Sequence, residues 1–300
     1  MIGEKRTVGN FFFNLFNYGV FLIYTLICVF PFYYIFINTI SNNEMSAAGK
    51  ILFLPVDIHF ENYIKVFQLR GLLQATFISV ARTVLGTLAT LLGSSFLGYA
   101  LSRQEYWMRK FWYRFVVVTM YFNAGIIPWF INMKNLGFVN NFWAYVIPAF
   151  VSPFNLILFK TYVEQIPASL EESAQIDGAG YLTRFFRIIL PLSLPIIATI
   201  AVFASVGQWN SFMDTLFLMN DSKLYTLQFI LYQYLNEVNS LAAMLRSASA
   251  QFQNIDLSKL LTPTSIRMTV SMVVVLPILF VYPFMQRYFV KGIMIGAIKG

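Results

Sequence analysis

The chain has 300 residues, of which 58% are hydrophobic, 18% aromatic and only 11% charged, with a mean hydropathy of +0.65. Soluble domains carry about 25% charged residues, so this composition excludes an ordinary soluble globule and points to a polytopic membrane protein. The net charge of +8 would raise nucleic-acid binding in a soluble protein, but here the placement of the basic residues matters more than their sum.

Lys5 and Arg6 precede an apolar run from about Phe11 to Ile40. The run is too long for a signal-peptide core and has no small-x-small cleavage site, and Cys28 lacks the small residue expected before a lipidated cysteine. It reads as a first span with its N-terminus inside, and Cys28, the single cysteine, as a buried thiol without a disulfide framework. Asn42 to Arg70 reads as a polar outer loop, and the lone His59 within it as a solvated side chain rather than a metal ligand.

A second span runs from about Leu72 to Leu101 and carries Arg82. A charge at bilayer depth costs about 2.5–3.5 kcal/mol on insertion scales, so Arg82 is expected either to snorkel to the outer interface or to face the protein interior. Arg103, Arg109, Lys110 and Arg114 then concentrate basic charge and mark the cytoplasmic side. A third span, about Phe115 to Ile131, holds Asn123-Ala-Gly-Ile-Ile-Pro128, where Gly and Pro loosen the helix. A fourth, about Phe142 to Tyr162, leads to a polar stretch at 167–191.

Ser169 and Glu172 have capping-box spacing and Pro167 lies just upstream, so a short helix is expected to start there. Asp177-Gly178 is a natural stop. After it, Leu182, Phe185, Phe186 and Ile189 share one face of a second helix, with Arg184 and Arg187 away from that face. Lys160, Arg184 and Arg187 place the stretch inside.

Pro191 and Pro195 open a fifth span, about Leu192 to Leu218, containing Gly207-Gln-Trp-Asn-Ser-Phe-Met-Asp214. Asp214 is the only acid within an expected span. An aromatic ring with amide and carboxylate partners suits a sugar; the alternative is that Trp209 anchors at the interface and Asp214 lies near the outer surface. An outer loop reaches from Asp221 to about Ser265, and a last span, about Met268 to Tyr288, ends in a cytoplasmic tail. The tally is about six spans with both termini inside, each run exceeding the roughly 20 residues a crossing helix needs. The chain divides into 1–70 (tail, first span, outer loop), 71–288 (core, with the loop at 163–191) and 289–300 (tail).

Catalytic motifs do not emerge. Gly49-Lys50 lacks the pattern of a phosphate-binding loop, and neither a His-Glu-x-x-His motif nor a nucleophile elbow is found.

The spacing of Glu172, Ser173 and Ala174, then Asp177, Gly178 and Ala179, then Ile188, Leu190 and Pro191, resembles the cytoplasmic "EAA" loop of permease subunits of ATP-driven (ABC) importers, with Ser173 where Ala is usual. Asn123 to Pro128, Leu136-Gly137, Ile166-Pro167, Trp209-Asn210 and Tyr282 through Gly292 to Lys299-Gly300 extend the likeness over nearly the whole chain. The chain is similar to carbohydrate permeases of the maltose-importer type, most of all to the branch for complex oligosaccharides and polysaccharide fragments. This resemblance implies an all-α type I importer permease fold and no enzymatic activity. The coupling helix would be about Ser169 to Gly178, with Leu170 and Ala174 packing into a cleft of an ATPase subunit and Glu172 meeting a basic or donor group there. Trp209, Asn210, Asp214 and Asn123 are its candidate pathway residues, and Gln286, Lys291, Gly292 and Lys299 its C-terminal ATPase contacts. The implied partners are a second, non-identical permease, two ATPases carrying ATP and Mg, and an extracytoplasmic solute-binding protein, all at a bacterial cell membrane.

Rival readings are an importer of another solute, such as a peptide or osmolyte, and a polytopic enzyme using Asp214 and Arg82 on lipid-linked sugars. A secondary carrier would be expected to show buried ionisable residues or repeated broken helices.

Overall fold

The computed structural model describes residues 8–69, 71–236 and 264–297, except the side chains of 8, 281–282 and 284–297. The described residues contain helices and no strands. In order these are α1 (Val8–Thr39), α2 (Asn43–Ala47), α3 (Glu61–Phe67), α4 (Leu72–Ser102), α5 (Arg109–Tyr121), α6 (Ile126–Asn135), a 3₁₀ turn (Phe142–Tyr145), α7 (Pro153–Val163) and α8 (Ser169–Ile176). They continue with α9 (Tyr181–Leu192), α10 (Leu194–Asn210), α11 (Met213–Leu218), α12 (227–236) and α13 (Thr264–Ala297). Among the described residues, two helices, Gly9–Thr39 and Leu72–Ser102, are individually long and apolar enough to cross a membrane. Counting each of two bent pairs, α5 with α6 and α9 with α10, as one broken span brings the number by length and composition to four.

The molecule divides into two compact units, Met1–Leu69 with Tyr234–Val275, and Arg70–Gln233 with Leu276–Gly300. In the first, α1 exposes its aromatic and aliphatic side chains from Phe11 to Phe36, as suits a helix in lipid. Cys28 lies on that exposed surface, so the expected burial of its thiol is corrected. The loop after α1 is tightly folded. Asn42 caps α2, and Asn38 Nδ2 donates to the Ile51 carbonyl at 3.3 Å while its Oδ1 accepts from Ser46 at 2.8 Å. Asn62 bonds both the Thr39 carbonyl and Asn43. His59 is half-buried in this fold with Nδ1 enclosed, rather than solvated.

The second unit is organised on α4, which packs most extensively against α10 and α7. The third and fourth expected spans are not continuous helices. α5 and α6 meet at 119°, because Phe122 is extended, Gly125 takes φ +86° and Asn123 Oδ1 accepts from the Gly125 amide. The run from Phe142 to Tyr162 contains only the 3₁₀ turn and the 11-residue α7, since Pro148 and Ser152-Pro153 interrupt it and Ser152 caps α7. Irregular backbone in an apolar setting needs protein partners. α4 supplies them: Thr90 Oγ1 donates to the Ala149 carbonyl at 2.7 Å and Ser94 Oγ accepts from the Ser152 amide at 3.3 Å. Gly93 admits the segment, as a Cβ there would stand 2.1 Å from the Phe150 carbonyl oxygen.

The fifth expected span also divides. α9 and α10 bend by 81° at Ser193, where Pro191 and Pro195 withhold amide donors, and the run breaks again at Ser211 and Phe212 before α11. The helix of the last span continues to Ala297, through most of the expected tail.

Candidate functional site

Two constellations sit along α4. The first surrounds Arg82, which is 1% exposed. Its guanidinium spans both oxygens of Asp214, Nη2 to Oδ2 at 2.6 Å and Nη1 to Oδ1 at 3.1 Å. Nε and Nη2 donate to Gln208 Oε1, and Nη1 to the Ser211 carbonyl, so all of the guanidinium nitrogens are engaged. The Tyr145 ring lies 4.3 Å from the guanidinium carbon, and Gln208 Nε2 returns a bond to the Tyr145 carbonyl. Gly86 leaves room for this amide; a Cβ there would meet Gln208 Nε2 at 2.5 Å. Arg82 therefore faces the interior, and the snorkelling alternative does not hold.

These groups form one wall of a cavity of about 420 Å³ bordered by α4, α7, α10 and the irregular segment between α6 and α7. Trp129, Tyr145 and Phe203 give it aromatic surface, while Ser152, Asn155 and Gln208 supply polar groups. The polar stretch of the fifth expected span reaches the cavity through Gly207, Gln208, Ser211 and Asp214. Trp209 is buried and Asn210 exposed, and neither lines it; Asn123 is exposed at the α5–α6 break. Sequence reasoning missed Tyr145, Ser152, Asn155 and Gln208. Gln208 lay within the polar stretch already singled out, beside the residues chosen there, and a lone amide inside an apolar run was the available signal for Asn155.

The second constellation lies at the C-terminal end of α4. The helix expected from Ser169 is present as α8, but its N-cap is Ala168 and no side chain caps it, so the capping box does not form. Ser169 is already the first helical residue, one position too late to serve as the cap. α8 turns its outer face away from the chain: Leu170, Glu172, Ser173 and Ile176 are exposed, Ile176 at 87%. Ala174 is half-buried. Asp177 ends the helix and Gly178, with φ +81°, turns the chain toward Ala179 in a conformation that disfavours side chains.

The buried acid of this helix is Glu171, the neighbour of Glu172. It accepts from the Tyr99 hydroxyl at 3.1 Å and pairs with Arg103 and, at 4.0 Å, Arg184. One turn on, Gln175 Oε1 accepts from Arg184 Nη1.

The predicted apolar face of α9 is also revised. Phe185 and Ile189 are buried, whereas Leu182 and Phe186 are exposed and Arg184 is buried. This helix also contains a π-helical segment at Phe185–Ile189, whose turn is wider than α-helical spacing assumes. Phe185 and Ile189 join Tyr99, Phe159 and Ile200 in the apolar core beneath the cluster. Of the residues from the second helix named for coupling, Ile188 and Leu190 are half-buried and Pro191 is exposed. The side chains of Gln286 and Lys291, the backbone environment of Gly292 beyond its helical state, and Lys299 lie outside the described residues.

Residues 90–295 match the family model described as binding-protein-dependent transport system inner membrane component. The polygalacturonan/rhamnogalacturonan transport system permease protein YtcP of Bacillus subtilis (strain 168) is 36% identical, over 97% of this chain and 99% of its own length. The arabinooligosaccharides transport system permease protein AraQ of Halalkalibacterium halodurans is 28% identical over 93% and 94%. Among solved structures, one chain in the crystal structure of a bacterial ABC transporter involved in the import of the acidic polysaccharide alginate superposes with a TM-score of 0.82. It is 28% identical, with 96% of this chain and 100% of that chain covered.

Proposed function

The chain belongs to the family of binding-protein-dependent transport system inner membrane components, and on that premise we propose that it forms half of the translocation pathway of an ATP-driven importer of oligosaccharides or polysaccharide fragments. The observation that carries this reading is the arrangement along α4. One uninterrupted helix lines the Arg82 cavity in its first half and holds the exposed docking helix α8 at its other end. Tyr99 follows Arg82 by 17 residues, about 25 Å of helix rise.

In this reading α8 faces the cytoplasm and seats on an ATPase subunit, with Leu170 and Ile176 offering apolar surface and Glu172 an outward carboxylate. Gly178 lets the chain turn without adding bulk. Two such ATPases supply ATP and Mg, a second, non-identical permease completes the pathway, and a binding protein delivers the sugar from outside. This chain itself catalyses no reaction. Aromatic faces with amide and hydroxyl groups suit a sugar, whose ring has apolar CH surface and polar edges. Arg82 is fully occupied by Asp214, Gln208 and Ser211, so it shapes the wall rather than seeking an anion. The names of the relatives support a saccharide cargo.

The test is uptake of labelled oligogalacturonides by cells that carry or lack the gene, with arabino-oligosaccharides, maltodextrins and peptides as competitors. Gene-dependent uptake displaced by a saccharide and not by peptides is the expected result. Competition by peptides alone would replace the sugar reading.

A further inference from the structure

Glu171 and Glu172 are adjacent acids in an eight-residue helix, yet only Glu172 is exposed. Consecutive helical residues point about 100° apart, so one acid can face a partner while the other faces the chain. We propose that Glu171 is the positioning residue that fastens the docking helix to α4, so that movement imposed on the outer face of α8 reaches the cavity as movement of α4. The proposal rests on the importer reading and deepens it.

Both oxygens of Glu171 are engaged, and from two elements. Oε1 pairs with Arg103 just after α4, and Oε2 accepts from Tyr99 within α4 and lies 4.0 Å from Arg184 of α9. Gln175 repeats the attachment to Arg184 one turn later, so the inner face of α8 is tied twice. Arg103 also stacks 4.9 Å from the Tyr99 ring, and Tyr99 packs on Phe185. Charge-assisted hydrogen bonds are shorter and stronger than neutral ones, and those of Glu171 come from a buried carboxylate. From Tyr99 back to Arg82, α4 has no proline or break at which motion would be absorbed.

The test uses the complete complex with Cys28→Ser and a single reporter cysteine at Ala204, on the cavity wall. ATP hydrolysis and the rate of maleimide labelling are read together, with and without ATP plus vanadate. In Glu171→Gln the ATPases stay bound and hydrolyse ATP, while the ATP-dependent change in labelling falls by about threefold or more. Arg103→Gln falls similarly, and the double variant is no worse than either single one, because the two residues act as a unit. Labelling changes that persist unaltered in both single variants, or losses that add in the double, overturn the proposal. Should Glu171→Gln fail to assemble, Arg103→Gln at the helix end decides by the same criterion. If the unmodified chain retains no ATPase, the importer reading itself fails and the proposal with it, an outcome distinct from loss of transmission alone.

Discussion

Arg82 and Asp214, 132 positions apart in the chain, meet through two hydrogen bonds, the shorter 2.6 Å, and join α4 to the start of α11. With 2% of the Arg82 side chain exposed and 17% of Asp214, each charge depends on the other. Breaking a buried pair by removing one partner costs about 3–5 kcal/mol. Asp214→Asn is therefore expected to lower the thermal midpoint of the purified protein clearly, and Arg82→Met with Asp214→Asn to recover part of the loss. A double variant as unstable as the sum of the singles would show that the two residues contribute separately.

Gly93 tests the support of the broken segment. Its Cβ would stand 2.1 Å from the Phe150 carbonyl oxygen, so Gly93→Ala must push residues 149–152 from α4 and strain the bonds of Thr90 and Ser94. Overpacking of this kind costs about 1–3 kcal/mol. Gly207→Ala, in the same unit with nothing within 4 Å, is the comparison. It is expected to be neutral or to stabilise by about 0.5–1 kcal/mol. Thermal unfolding of the two variants side by side checks the contrast.

At Gly178 the demand is conformational, since φ is +81° and open space surrounds the position. Asn tolerates the left-handed region better than β-branched residues do. Uptake should fall in the order Gly178, Gly178→Asn, Gly178→Val, with equal amounts of protein in the membrane. Gly178→Asp is expected to keep insertion but lose uptake, through added charge at the docking face. Undiminished uptake in Gly178→Val would show that the turn is not used.

The cavity makes a kinetic prediction. Asn155→Ala removes a polar group from its wall, so uptake at low sugar concentration should drop several-fold while basal ATP hydrolysis remains. Truncation of Trp129 to Ala should act in the same direction. Equal loss of hydrolysis and uptake would point to damaged folding instead.

Much of the helical architecture was legible because hydrocarbon runs and prolines report directly on helices and the loops between them. The turn at Gly178 was readable locally, and the helix over Ser169–Ile176 forms just after Pro167 as expected, although the capping box that marked its start does not form. The partner of Arg82 was not, because nothing near it in sequence names a carboxylate 132 residues away. Nor could spacing select Glu171 over Glu172 as the buried acid; that depends on which side of α8 meets Tyr99 and Arg103. Around the π segment at Phe185–Ile189 periodicity placed Phe185 and Ile189 in the core correctly but not Leu182, Arg184 or Phe186, whose exposure depends on which neighbouring elements cover α9. In the fourth expected span, Pro148 and Pro153 were visible, but the apolar length around them outweighed the interruption.

The glycines at 86, 93 and 98 lie through the middle and later turns of α4, where neighbouring chain comes closest to its backbone. If α4 moves as proposed, close contact at this waist would make it a see-saw. For its 31 residues, a tilt of about 10° around the middle carries the two ends about 4 Å in opposite directions. Such a tilt would carry Tyr99, 12 residues from the middle, about 3 Å one way and Arg82, five residues on the other side, about 1 Å the opposite way, so a push at the docking face would reach the cavity wall reversed in sense and geared down.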